Sequence, residues 1–262
     1  MHAVLSLTLM HDRHLSTEAN IALSPTEAFH WYQGIALFSS KLAGPIHPSE
    51  RDALWATSAF LGTIAFYSIE ARTPEEAWPL KPLSSLDLNW LRMSAGKEEI
   101  WKSPNHQELT AYFSRWFLSI GIFYRLLQRA LGWRLFLLNS SSSTNLTPPQ
   151  LREKNPYHAA ASSLAKSLNS DCNLSIILNF LSFISHMSPD YKRLLEREDP
   201  RALLLLAYWY AKACQCQHWW IWRRAALECQ AICIYLDRYH EYERNIQKLL
   251  QFPRMMCSVT PR

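Results

Sequence analysis

The residues whose types and spacing could support chemistry are cysteines in the C-terminal half of the chain. The chain has six cysteines, and four of them form two close pairs, Cys214–Cys216 and Cys229–Cys233, with His218 beside the first pair. Thiolates and imidazoles at short spacings are the ligands of structural zinc sites, so a metal site is one interpretation. The other is burial, because the surrounding sequence is apolar and helical in pattern and free cysteine is among the most buried residue types. We favour burial and predict no metal and no cofactor.

The sequence carries none of the common catalytic motifs. It has no glycine-rich phosphate loop, no GxSxG nucleophile and no HExxH helix, and it lacks the paired aspartates of isoprenoid enzymes. Isolated histidines such as His11, His14, His106 and His186 have no evident partner in the sequence. Since triads assemble in space, an all-α enzyme acting on an apolar substrate stays as the least favoured alternative. We predict that the chain is not an enzyme.

Tryptophans supply the candidate binding residues. Trp78, Trp90 and Trp101 lie in a segment that two prolines and a glycine interrupt. They either pack in the core, which we favour for Trp78, or line an apolar ligand pocket, in which case the chain would bend at Gly96 to cover the pocket. A second candidate wall lies in the WYAK…WW region, and core packing is the alternative for each residue. The ligand-binding candidates are Trp90, Gly96, Trp101, Trp209, Trp219 and Trp220.

The elements that must position these residues are helices. Six glycines and no alternating strand pattern of useful length predict an all-α, multi-helix bundle. Ser24-Pro25-Thr26-Glu27 is a capping box that begins a helix ending near Leu42. The apolar run 202–211 predicts a buried helix. Further helices are predicted near 48–70, 106–138, 157–169, 171–187, 189–197, 200–216, 219–237 and 239–251, with a surface loop at 139–156 and a frayed tail at 252–262.

Composition and charge restrict the class of protein. Hydrophobic residues make up 48 % and charged residues 19 % of the chain, which is typical of a globular domain. The net charge is only +5 and the basic residues are scattered, whereas nucleic-acid-binding domains gather them on one face. No stretch reaches the roughly 18 apolar residues of a membrane span. The start is a poor signal peptide, so we expect an intracellular protein.

Three segments resemble a known family. They are DALWATSAFLGTIAFYSIEARTPEEAWPL (52–80), DLNWLRMSAGKEEIW (87–101) and RALLLLAYWYAKACQCQHWWIWRRAALECQAICIYL (201–236). They are similar to the C-terminal regulatory domain of fungal binuclear zinc-cluster transcription factors, of the sterol-uptake-regulator type. The opening MHAVLSLTLMH looks like the first helix of that domain. The most specific parts are EAWPL, the WL–GK–IW pattern and the WYAK…WW pair.

The resemblance implies a fold, a ligand and a place in the cell. It implies an all-helical domain over residues 1–251, usually dimeric, with a hydrophobic pocket that binds a sterol such as ergosterol or another apolar molecule. In sterol regulators, bound sterol keeps the factor inactive outside the nucleus, and loss of sterol permits nuclear entry and transcription. Other relatives control secondary-metabolite genes. We therefore expect a transcription regulator that acts in the nucleus, shuttles with the cytoplasm, and pairs as a homodimer or heterodimer.

The cysteines depart from that family. Its members carry an N-terminal DNA-binding module with six cysteines in a repeated CxxCxxxxxxC spacing, and the six cysteines here do not match it. We expect no specific DNA binding from this chain, since that zinc-cluster region is absent. The alternative function is a stand-alone dimerisation module that binds full-length relatives and reduces their activity as transcription regulators.

Overall fold

Every regular element in the part of the chain that the structure describes is a helix. The structure is a computed structural model that describes residues 1–16, 23–84, 87–88, 90–91, 155–168, 183–184 and 187–258. No strand occurs in those ranges, which confirms the all-α, multi-helix class. The α-helices are α1 (His2–Leu15), α2 (Pro25–Leu42), α3 (Arg51–Tyr67), α4 (His158–Leu168), α5 (Pro189–Glu196), α6 (Pro200–Cys216), α7 (Trp222–Tyr239), α8 (Arg244–Leu249) and α9 (Gln251–Cys257). Short 3₁₀ turns lie at Pro48–Glu50 and Pro74–Glu76.

The helices fall into two compact units. Unit 1 comprises the described residues of Met1–Glu70, Ser84–Arg115 and Trp219–Arg224. Unit 2 comprises those of Ala71–Leu83, Trp116–His218 and Ala225–Arg262. Unit 1 therefore combines α1 to α3 with a short segment from late in the chain, and unit 2 is built around α6.

Unit 1 is a three-helix packing that depends on one close approach. The core of α1 and α3 consists of Ala3, Met10, Leu61 and Ile64. A Cβ added at Gly34 of α2 would lie 3.4 Å from the backbone nitrogen of Ala3 and 3.4 Å from the Leu61 side chain. At Gly34, α2 therefore lies close to both other helices, and only a very small residue fits there.

The start of α2 is fixed by the Ser24 half of the predicted capping box, since the Glu27 carboxylate pairs with Arg13 instead. The backbone N–H of Glu27 donates to Ser24 Oγ at 3.1 Å, and Pro25 occupies the first turn, where its missing N–H costs nothing. The Glu27 carboxylate is 1 % exposed and accepts two bonds from Arg13 of α1, Nε to Oε2 at 3.0 Å and Nη2 to Oε1 at 2.8 Å. A forked, buried ion pair therefore joins α1 to α2.

Unit 2 surrounds a helix that is buried on every side. All residues of α6 from Ala202 to Cys214 are buried, which confirms the buried helix expected from the apolar run at 202–211. The helix begins where Asp199 accepts bonds from the backbone N–H groups of Arg201 (3.1 Å) and Ala202 (3.0 Å). A helix that is apolar all round requires neighbours on all faces.

The predicted elements agree with the structure in most described regions. The helices predicted at 25–42 and 200–216 have those bounds. The helix predicted at 157–169 is one residue too long at each end, and the helix predicted at 189–197 is one residue too long at its C-terminal end. The single helix predicted at 239–251 is wrong, because α8 and α9 take its place. The frayed tail from 252 is also wrong as far as Cys257, since α9 reaches that residue and buries it. The predicted helix 106–138 lies outside the described residues, as do nearly all of the helix 171–187 and of the loop 139–156.

Candidate functional site

The last turn of α3 carries an aromatic cluster in unit 1. Phe66 meets Trp90 edge to face, with ring centroids 5.0 Å apart, and it meets Trp220 in the same way at 6.1 Å. All three side chains are buried. Edge-to-face contacts of this kind add to the stabilisation that burial alone gives. Phe66 is therefore the centre on which two of the candidate tryptophans converge.

The next residue, Tyr67, carries a second, more open half of the cluster. Its ring lies 5.3 Å from that of Trp219, and the Arg13 guanidinium lies 5.3 Å from the centre of the Tyr67 ring. The imidazoles of His11 and His14 lie 4.9 Å and 5.6 Å from the Trp219 ring. Trp219 is only partly buried. We call the whole set the aromatic cluster: Phe66, Tyr67, Trp90, Trp219 and Trp220, with His11 and His14 at its polar edge.

A buried arginine closes the end of α3 beneath this cluster. Arg224 is 4 % exposed, and its guanidinium lies over the Phe66 ring, 5.4 Å from the centroid. It donates to the carbonyl oxygens of Phe66 (2.6 Å), Ser68 (3.1 Å), Ala65 (3.4 Å) and Asp87 (3.4 Å). The last carbonyls of a helix have no partner inside the helix, so Arg224 supplies one. A cation at this end also suits the helix dipole.

Two ionisable groups of the cluster, His14 and Tyr67, favour their neutral forms. Burial lowers the pKa of His14 from its usual 6.5, and the nearby His11 and Arg13 lower it further. Burial raises the pKa of Tyr67, and this outweighs the opposite influence of Arg13 and Arg223. At neutral pH, His14 is therefore a neutral imidazole that can both donate and accept a hydrogen bond, and Tyr67 is a neutral phenol.

The structure brings half of the predicted binding residues together. Trp90, Trp219 and Trp220 meet at the end of α3, although Trp219 and Trp220 come from a position more than 120 residues further along the chain. Trp209 is in unit 2, where it is fully buried and stacked on Phe183 at 5.5 Å. Its role there is core packing.

Of the other tryptophan and glycine predictions, one is confirmed and two lie outside the described residues. Gly96 and Trp101 lie outside the described residues. Trp78 is 1 % exposed, which confirms that it is a core residue. Sequence reasoning did not assign His11 and His14 to the site. Their spacing of three residues along α1 places both on one helix face, and this spacing is the feature of the sequence from which the pair could have been predicted.

The cysteines that suggested a metal site are packed in unit 2. Cys214, Cys229 and Cys233 are buried free thiols, as the alternative interpretation predicted, and Cys257 is a fourth. Cys216 departs from that prediction, because it is only partly buried and is disulfide-bonded. Among the described residues, no group of three or more histidine, cysteine or acidic side chains is arranged to hold a metal ion. Nor is any helix in that part of the chain both long enough and apolar enough to cross a bilayer.

Comparison with known proteins adds no assignment. No protein-family model, no curated protein and no solved structure matches this chain.

Proposed function

We propose that the chain is the ligand-sensing regulatory domain of a fungal transcription regulator, and that unit 1 binds an apolar small molecule at the aromatic cluster. The observation that carries this proposal is the meeting of Trp90, Trp219 and Trp220 around Phe66 and Tyr67 at the end of α3. Support from the sequence comes from the resemblance of 52–80, 87–101 and 201–236 to zinc-cluster regulatory domains. The genes controlled would be those of sterol or secondary metabolism.

The chemistry of the cluster suits a sterol-like ligand. Ligand sites are mostly apolar and aromatic, with a few polar groups that set orientation. Trp219 offers a partly open aromatic face, and the His11 and His14 imidazoles beside it can bond a single hydroxyl group. A rigid apolar body with one hydroxyl is complementary to that arrangement.

Sensing requires that the ligand bind one form of the domain better than another. A ligand shifts a conformational equilibrium only by its difference in affinity for the two states. In the structure Trp90 and Trp220 are already packed on Phe66, so the rings offer little free surface. We infer that a ligand of sterol size enters on the Trp219 side and displaces packed rings as it binds. The end of α3, held by Arg224, is then the element whose position reports binding.

Equilibrium binding of a fluorescent sterol tests this proposal. Energy transfer from tryptophan to dehydroergosterol is measured for the wild-type chain, Trp219→Ala and Trp31→Ala. Trp31 is the matched control because it is also a partly buried tryptophan packed on the core of unit 1. We expect saturable binding, weakened at least tenfold in Trp219→Ala, since about 1.4 kcal/mol of lost aromatic contact gives that factor. Trp31→Ala should change Kd less than twofold.

Two results would count against the ligand proposal. One is the absence of saturable transfer in the folded wild-type chain. The other is equal weakening by both substitutions while circular dichroism shows that both variants are helical. Equal weakening would mean that loss of stability, and not loss of the cluster, changed the affinity.

The second candidate function is a protein-interaction module, and the surface of α2 favours it. This helix buries only Glu27 and Gly34, while Phe29, Tyr32 and Leu37 are 53 %, 71 % and 56 % exposed. Apolar side chains gathered on one exposed helix are typical of an interaction surface. We propose that α2 is where the chain pairs with a copy of itself or with a related regulator.

Sedimentation equilibrium distinguishes the interaction module from a purely ligand-sensing monomer. The wild-type chain should associate at micromolar concentration, and Tyr32→Glu should abolish association. Thr26→Glu, an exposed position on the same helix, is the control and should leave it unchanged. A wild-type chain that stays monomeric up to its solubility limit, with or without a zinc-cluster regulator added, would remove this candidate.

A further inference from the structure

A group of thiols lies between α6, α7 and α9 of unit 2, and none of them belongs to the aromatic cluster. The sulfur atoms of Cys214 on α6 and Cys257 on α9 are 3.6 Å apart. Cys229 of α7 lies beside them, with its thiol 3.4 Å from the carbonyl oxygen of Ala207 and 3.9 Å from that of Pro253. We propose that Cys214 and Cys257 form a redox-active pair whose disulfide ties α9 to α6.

The geometry needs only a small movement. A disulfide bond is about 2.0 Å long, so the two sulfur atoms must approach by less than 2 Å from their present contact. Side-chain rotation and a slight shift of a seven-residue helix supply a movement of that size. Cys229 lies beside the two sulfurs, but the described part of the chain holds no group of three or more histidine, cysteine or acidic side chains arranged to bind a metal ion. Oxidation is the chemistry that two thiols in contact support without a metal.

The two sulfurs have different roles. Burial alone would raise the pKa of Cys257, but hydrogen bonds from the Cys214 and Cys229 thiols outweigh it and hold that pKa below its usual 9.0. The same hydrogen bond, together with burial, raises the pKa of Cys214. The thiolate is the reactive form of cysteine, so Cys257 is the nucleophile and Cys214 the resolving thiol.

The oxidant we name is a hydroperoxide, with hydrogen peroxide as the simplest case. The Cys257 thiolate attacks one peroxide oxygen, the O–O bond breaks, and the leaving hydroxide takes a proton to become water. Cys257 is then a sulfenic acid. The Cys214 sulfur attacks the Cys257 sulfur, the S–S bond forms, the S–O bond breaks, and hydroxide leaves with the Cys214 proton as a second water. Two thiols are oxidised and one peroxide is reduced to two water molecules.

Access to the pair depends on α9. Cys214 and Cys257 are 5 % and 1 % exposed, so peroxide reaches them when α9 moves away from α6. Phe252 at the start of α9 stacks on Tyr208 at 5.2 Å, Arg254 pairs with Asp237, and Gln230 donates to the Cys257 carbonyl oxygen. These contacts hold α9 in place in the reduced state. The disulfide replaces them by a covalent link that closes α7, α8 and α9 into one loop.

The test is oxidation of the reduced full chain by equimolar hydrogen peroxide. After quenching, the chain is denatured, alkylated and weighed by intact mass spectrometry. We expect wild type to lose two more alkylatable thiols than Cys257→Ser, and one more than Cys214→Ser, in which Cys257 stops at the sulfenic acid. Cys233→Ser, which removes a buried cysteine from outside the pair, is the control and should behave as wild type. The tryptic peptide that contains Cys214 also contains Cys216, so fragmentation of its link to Met255–Arg262 should place the bond at Cys214.

A second measurement reports the structural effect. Closing a loop of this length by a disulfide, worth about 2–4 kcal/mol, should raise Tm by roughly 5 to 10 °C, and dithiothreitol should reverse the rise. Either serine variant should show no rise on oxidation. The proposal is overturned if oxidised wild type carries only sulfinic acid at Cys257, if Cys257 is linked to Cys229, or if Cys214→Ser keeps the full Tm rise. Peroxide that leaves the thiols of the folded chain unchanged also overturns it, provided that the urea-unfolded chain reacts.

Discussion

At the scale of the residue, the Arg13–Glu27 pair is the charged contact whose loss should cost most. Glu27 is 1 % exposed and binds Arg13 through both carboxylate oxygens. Glu27→Gln leaves the guanidinium without a countercharge in a mostly buried place, and breaking such a pair costs about 3 kcal/mol of folding free energy. Urea unfolding followed by circular dichroism measures the loss.

The matched control for that prediction is an exposed pair in the same unit. Lys41 and Glu50 form an ion pair with side chains 58 % and 38 % exposed, so Glu50→Gln should leave the free energy of unfolding close to that of wild type. Equal losses in Glu50→Gln and Glu27→Gln would contradict the argument that burial makes the first pair strong.

Two histidines, His14 and His218, should make the free energy of unfolding decrease in mild acid. Burial lowers the pKa of His218 from 6.5, and burial with neighbouring His11 and Arg13 lowers that of His14. Below pH 6.5 the unfolded chain therefore binds more protons than the folded chain, and the free energy of unfolding decreases as pH falls. The decrease stops once pH is below the folded pKa values.

The measurement for this prediction is urea unfolding at several pH values between 8 and 5. His14→Gln/His218→Gln should reduce the slope of unfolding free energy against pH just below 6.5. His47→Gln, at an exposed position, should leave the slope as it is in wild type. A double variant with the wild-type slope would show that other groups account for the effect.

Residue types predicted the members of the candidate site only in part. Trp90, Trp219 and Trp220 were singled out because large aromatic side chains suit both cores and pockets. That same property placed Trp209 in the list, and only its position on the all-round buried α6 assigns it to packing. His11 and His14 were missed because their partner Trp219 lies more than 200 residues away in sequence.

At the scale of the element, Gly34 sets how closely α2 approaches α1 and α3. An added Cβ would meet Ala3 and Leu61 at 3.4 Å, which is ordinary contact, and alanine favours a helix over glycine by about 1 kcal/mol. Gly34→Ala should therefore be neutral or slightly stabilising. Gly34→Leu must force the helices apart and should destabilise by about 2 kcal/mol or more.

Thermal unfolding of the two Gly34 variants decides this point. We expect Tm to be unchanged or higher for Gly34→Ala and several degrees lower for Gly34→Leu. A leucine that leaves Tm unchanged would mean that α2 does not pack here as described.

Arg224 is the residue on which the end of α3 depends. Arg224→Met would leave four carbonyl acceptors, at residues 65, 66, 68 and 87, without this donor. Each buried acceptor left unsatisfied costs about 1–3 kcal/mol of folding free energy. Water that enters the site satisfies some of these acceptors, so we expect Arg224→Met to lower the free energy of unfolding by about 3 kcal/mol in total. Arg224→Lys should restore less than half of it, because an ammonium cannot reproduce the planar set of donors.

Urea unfolding of the two Arg224 variants, with Trp fluorescence as the probe, measures this loss. Trp90 and Trp220 pack on Phe66 above the guanidinium, so their emission should also shift to the red in Arg224→Met. If Arg224→Met has wild-type stability and emission, the hydrogen bonds of Arg224 do not stabilise the end of α3.

Helix ends were predicted well where the sequence supplies a cap and poorly where it does not. Ser24 and Asp199 are side-chain caps, and the helices that follow them begin where predicted. The predicted helix 239–251 failed because no glycine or proline marks the change from α8 to α9 at Leu250. Pro253 belongs to the tail predicted to fray, yet it lies in the first turn of α9, where its missing N–H has no partner to lose.

At the scale of the whole molecule, the division into two units is the feature that the sequence did not indicate. Residues 219–224 belong to unit 1 with the first 70 residues of the chain. The bond from Arg224 to Phe66 joins positions 158 residues apart. Local propensity and periodicity carry no information about such a pairing, because they report only which face of a helix is apolar. The all-α class was predictable because it depends on those local patterns alone.

The proposed function has one measurement that tests it most directly, which is hydrogen–deuterium exchange of the chain with and without ergosterol. Exchange reports local opening segment by segment. We predict slower exchange in peptides covering 61–70 and 219–224, and no change in α6 of unit 2. Unchanged exchange throughout the chain at saturating sterol, or protection confined to unit 2, would contradict the claim that the aromatic cluster is an apolar-ligand site.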